Sequence, residues 1–114
     1  MTEKNNVNIE YERLKELFKD ISPDKMKVAD GLIIQASRLR VLLDVAWDDI
    51  VSGGDYESFT QSEHTPAYER QRPVAKLFNQ RDSAYQRVIA QLIGLLPKDK
   101  KEEAQEGFNT EDLI

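Results

Sequence analysis

Cysteine is absent from these 114 residues, so they hold no disulfide framework and no thiolate metal site. A single histidine, His64, leaves no imidazole cluster for metal binding. Glycine is scarce, and Gly53-Gly54 lacks the lysine and the serine or threonine of a phosphate-binding loop. The carboxylates Asp48 and Asp49 are sequence neighbours, so on a helix they diverge by about 100° rather than converge. No catalytic residue, no metal and no cofactor is expected from this set. Long apolar runs are missing too, which excludes an expected membrane span. The start, MTEKNNVNIEYER, is polar and acidic, unlike a signal peptide. A cytoplasmic setting is the expectation.

What the chain does have is charge, unevenly placed. The formal net charge is -5, and Lys98 to Ile114 contributes -3 of it through three lysines and six acids. Between Arg70 and Arg87 the sign reverses: Arg70, Arg72, Lys76, Arg81 and Arg87 accompany only Asp82. The acidic total argues against a protein that coats nucleic acid. The local basic stretch keeps contact with a phosphate backbone open.

Apolar spacing predicts an all-α chain of three helices, with no strand. The first spans roughly 9–20, where Leu14, Leu17, Phe18 and Ile21 recur at three- and four-residue intervals. Ser22-Pro23 then offers a cap and a proline at the first helical position. The second helix spans roughly 23–52 and stops at Gly53-Gly54. Its Ala29, Leu32, Ala36, Leu39, Leu43, Ala46 and Ile50 alternate by three and four, a heptad seam. Ile34, Val41 and Val45 fall nearly opposite that seam, with Arg38 beside them. A helix apolar on two sides needs neighbours on two sides. The other helices could supply both; otherwise Ile34, Arg38, Val41 and Val45 meet another copy of the chain.

Residues 53–71 form a long connection in which Thr65-Pro66 is expected to start a short helical turn. The third helix spans roughly 73–96, between Pro73 and Pro97. Its apolar stripe is Val74, Leu77, Phe78, Tyr85, Val88, Leu92 and Leu95, flanked by Ile89 and Leu96. Trp47 and Tyr85 are expected in the core. The fold expected is therefore a long antiparallel helical hairpin, a short N-terminal helix across it, and a homo-oligomeric state. Residues 1–97 make the helical domain, and 98–114 an acidic, flexible tail. Phe108, Leu113 and Ile114 in that tail have the makings of a short partner-binding motif.

Two features of the third helix bear on binding. Lys76 and Arg87 lie opposite the apolar stripe, with Arg70 and Arg72 just before the helix, a pattern that suits a phosphate backbone or an ordinary solvated face. Arg81 falls inside the stripe, between Phe78 and Tyr85, where a lone guanidinium must be paired or reach water. Asp44 and Asp48 of the same chain are candidate partners, as are acids of a second subunit.

The segment PAYERQRPVAKLFNQRDSAYQRVIAQLIGLLPK resembles the C-terminal half of small terminase subunits of tailed bacteriophages. The elements carrying the resemblance are Pro73, Val74, Lys76, Phe78 and Asn79, then Leu92, Ile93, Leu95, Leu96 and Pro97. The long helix ending at Gly53 fits the same layout, so about 29–97 is covered. The resemblance implies a non-catalytic DNA-packaging protein that assembles into rings and regulates a large ATPase–nuclease subunit. Its partners would be itself, that large subunit and double-stranded DNA, in the host bacterial cytoplasm. No clear helix-turn-helix precedes the hairpin, unlike in many relatives. A structural or adaptor protein of phage assembly without DNA binding, and a small acidic regulator of a host protein, are the rival expectations.

Overall fold

Pro23 sets the start of the longest element. The computed structural model describes residues 2–54, 56–59 and 66–112. The second helix, α2, is Pro23–Gly53, 31 residues or about 46 Å long. Ser22 takes the extended conformation of a cap residue, yet its side chain makes no capping bond. Instead the Met26 N–H donates to the Ser22 carbonyl at 2.8 Å. At the far end Gly54 turns the chain at φ 81°, a conformation that favours glycine, and its N–H donates to the Ile50 carbonyl at 2.7 Å.

The first helix, α1, is Thr2–Leu17, so it begins well before the expected Ile9. Helix-compatible pairs such as Arg13–Glu10 at 2.7 Å help hold its polar length. The chain then turns back, with the Ile21 N–H donating to the Phe18 carbonyl at 3.1 Å. Leu14, Phe18 and Ile21 are buried as expected, while Leu17 stands exposed at the edge of that face.

Mostly helical architecture is the outcome, with one correction: a two-stranded antiparallel sheet joins α2 to the next helix. Strand β1 is Tyr56–Phe59 and β2 is Tyr68–Gln71, with Glu57 opposite Arg70 and Ser58 opposite Glu69. The expected helical turn after Pro66 is therefore extended backbone; Thr65 itself lies outside the described residues. Arg70 donates to Glu57 at 2.8 Å across the ladder, a pairing that stabilises strands only when both are present.

The next helix, α3, is Pro73–Gly94, and like α2 it has its proline in the first turn. The Leu95 and Leu96 N–H groups close onto the Leu92 and Ile93 carbonyls at 3.1 Å each. Beyond Pro97 the chain is helical again: α4 is Lys98–Asp112, where a flexible tail was expected. Pro97 starts it by accepting from Lys100 and Lys101 N–H, and Ala104 packs partly against the core.

One core joins α1, α2 and α3. Leu14, Phe18, Ile33, Leu43 and Leu92 are fully enclosed there. The seam residues Ala29, Ala36, Leu43 and Ala46 are buried, and Leu32 and Leu39 are partly so. Ser37, also fully buried, donates its hydroxyl to the Ile33 carbonyl at 2.7 Å, so its burial leaves no polar atom orphaned. The stripe on α3 is rotated from expectation: Ile89, Ile93 and Leu96 are buried, whereas Leu77 is exposed. Contacts between α2 and α3 run in opposite senses, Asp49 with Arg72, Trp47 with Phe78 and Arg40 with Tyr85.

The molecule is long, 62 × 31 × 23 Å. Its radius of gyration of 18.1 Å exceeds the roughly 13 Å of a compact chain this size. Among the described residues no helix is long and apolar enough to cross a membrane.

Candidate functional site

Most of the distinctive side chains gather where α2 ends and α3 begins. Arg72, expected to contact nucleic acid, is committed locally. It donates to the Asp49 carboxylate at 2.8 Å and to the Gly54 carbonyl at 2.8 Å. A Cβ on Gly53 would collide with the same guanidinium, so glycine there makes room for the clamp. Arg70 is likewise held by Glu57. Lys76 and Arg87 do stand exposed on α3, three turns apart on one side. The expected group of four cations is thus divided, two tied into the loop and two facing solvent.

Arg81 is half-buried, and among the described residues neither Asp44 nor Asp48 pairs with it. The expected within-chain pair is therefore not formed. Asp44 accepts instead from Arg40 at 3.0 Å, one turn away on the same helix, where little chain entropy opposes the contact. The Arg40 guanidinium also lies over the Tyr85 ring, 5.1 Å from its centre. Burial pushes the Tyr85 hydroxyl above its ordinary range, Glu10 adds to that shift, and Arg40 and Arg13 oppose it.

The expected free line on α2 is broken. Val41 is buried and Ile34 half-buried, while Arg38 and Val45 are exposed. Val41 and Val45 line a shallow groove of about 280 Å³ with Asn6, Ile9, Glu10 and Asp44, so α1 occupies part of that side. Trp47 is a further correction. It is 54 % exposed rather than in the core, because Ala46 takes the inward position and the next residue turns about 100° away. Its ring meets Phe78 at 5.9 Å with a 39° tilt. Val51 and Leu77 are exposed as well. The sequence signal for this cluster was the four-residue spacing of Trp47 and Val51, off the heptad seam.

Among the described residues no group of histidines or carboxylates could hold a metal ion. His64 lies outside the described residues, as do Leu113 and Ile114; Phe108 falls within α4. No family model, no curated protein and no solved structure matches this chain.

Proposed function

We propose that this chain is a non-catalytic DNA-packaging protein of a tailed bacteriophage, similar to small terminase subunits. In this reading it is an antiparallel helical hairpin that assembles as a homo-oligomer and recruits or regulates a large ATPase–nuclease subunit. The motif from Pro73 to Pro97 supports the family, and the opposed contacts of α2 and α3 support the hairpin.

Surface area carries the assembly part. The chain exposes 8177 Å², against about 6,400 Å² for a folded monomer of 13.1 kDa. The surplus, about 1,800 Å², is roughly twice the 800 Å² or so that each partner buries in a standard interface, enough for two such faces on one chain. Along α2 alone, Val28, Leu42, Val45, Trp47 and Val51 are exposed large apolar side chains. They point in several directions, which a single set of neighbours in one chain cannot cover.

Lys76 and Arg87 are the residues left for a phosphate backbone. A mobility assay with double-stranded DNA over a range of salt tests the packaging reading. Affinity should fall as salt rises, and Lys76→Ala and Arg87→Ala should each lower the log–log slope by about 1. Failure to bind at low salt, with the oligomer intact, would instead support an assembly adaptor without DNA contact. The engagement of Arg70 and Arg72 in ion pairs is the observation on that adaptor's side.

A further inference from the structure

The side of α2 turned away from α1 and α3 is open along its length. Val28, Gly31, Gln35, Arg38, Leu42 and Val45 follow one another at three- and four-residue steps, and all six are exposed. Val28, Leu42 and Val45 are 69 %, 43 % and 47 % exposed. The buried Ala29, Ile33, Ala36 and Leu43 hold the opposite side against the core. A line at this spacing drifts by about 20° per heptad on a straight helix, a slow wrap that a second helix follows by supercoiling. Gly31 adds an independent observation. A glycine weakens a helix interior relative to alanine. This one does not take a positive φ, and a Cβ on it would meet nothing within 4 Å. Neither backbone conformation nor packing within the chain calls for glycine there, whereas a helix crossing close to this face does.

We propose that a second copy of this chain lies antiparallel along this face, with Val28 of each copy against Val45 of the other, Gly31 against Leu42, and Gln35 against Arg38. The proposal rests on the self-association reading above and names its surface. The order of the line selects this occupant. Apolar or small positions flank a polar centre, so the line reads alike from both ends, and a two-fold axis between Gln35 and Arg38 matches every layer. Gly31 leaves the hollow that the longer Leu42 fills. The Arg38 guanidinium donates to the Gln35 side-chain carbonyl across the axis, twice by symmetry. Polar layers among apolar ones fix a register. Sliding by one heptad would set Arg38 against Leu42 and Gln35 against Val45. Past the apolar ends Asp24 meets Asp49, whose charge Arg72 already balances at 2.8 Å. A nucleic acid would find one cation, Arg38, among uncharged side chains.

The chain has no cysteine, so introduced thiols report this face without interference. Val28→Cys and Val45→Cys are made separately, mixed and oxidised. In the proposed register two copies of position 28 stand about 25 Å apart along the helices. A disulfide needs Cα atoms within about 7 Å, so each variant alone should stay unlinked while the mixture gives a cross-linked dimer. Gly31→Met should keep or raise helicity by circular dichroism, yet raise the dissociation midpoint, followed by light scattering, about tenfold or more. Failure of either the mixed cross-link or the Gly31→Met effect, with the oligomer intact, would overturn this surface while leaving self-association standing. A disulfide in Val28→Cys alone would overturn the antiparallel register. A monomer at every concentration would overturn both the surface and the self-association. Protection of either thiol from alkylation only when duplex DNA is added would overturn the proposal and assign the face to nucleic acid.

Discussion

Arg72 is the residue on which the junction of α2, the loop and α3 depends. Its guanidinium closes the end of α2 by binding both a side chain of the last turns and the Gly54 carbonyl beyond them. Removing it leaves those acceptors to water, since Asp49 is about half exposed. Arg72→Ala should therefore cost about 1–2 kcal/mol, the range for charged hydrogen bonds discounted for solvent. Urea unfolding of the two proteins measures this, and coincident curves would contradict it. DNA affinity, where present, should be little changed, because this cation is already engaged. At this scale the sequence was a partial guide. Leu14, Phe18, Leu43 and Leu92 were readable as core from spacing alone. Trp47 was not, because one step along a helix turns a side chain by about 100° and Ala46 takes the inward position.

Elements were legible where local chemistry starts and stops them. Pro23 and Pro73 mark the starts of α2 and α3, and Gly53-Gly54 marks the end of α2. The strands were hidden because YESF and YERQ become stable only against each other, with Glu57 facing Arg70. The helix α4 was hidden behind a composition that reads as solvated, although Pro97 supplies the same kind of start as Pro23. Between α1 and α2 the connection is polar: the Tyr11 hydroxyl donates to Asp30, and Lys15 donates to the same oxygen at 3.1 Å. The Tyr11 hydrogen bond first, then that from Lys15, holds the Asp30 carboxyl below its ordinary value of 3.8. Lys15 is raised above 10.5, chiefly by the hydrogen bond it donates to Asp30 and then by the one it donates to Tyr11. A lowered carboxyl contributes stability above its unfolded value and loses it as pH falls through the folded one. A raised ammonium contributes fully below its unfolded value and loses it as pH climbs through the folded one. The link is thus intact across neutral pH and fails at both extremes. The acid side is the cleaner test, since buried Tyr85 also titrates upward in alkali. Asp30→Asn should melt below the wild type at neutral pH, and the gap should close as pH drops beneath the carboxyl range. A gap that persists there would contradict the assignment.

Over the whole molecule, shape outweighs chemistry. A radius of gyration of 18.1 Å and a surface well above the monomer expectation leave apolar side chains exposed along the full length of α2. Sequence periodicity indicated two apolar sides on that helix. It could not say that α1 would take Val41 and leave Trp47 and Val51 uncovered, because helix–helix placement depends on contacts among all three helices at once. The exposed cations Lys76 and Arg87 lie on α3, Lys76 directly before Leu77 and Arg87 three turns further on.

Sedimentation velocity of the full chain across a concentration series tests the proposed self-association. The expected result is a discrete species at a multiple of 13.1 kDa, shifting toward the monomer on dilution. A single 13.1 kDa species at every concentration would contradict it.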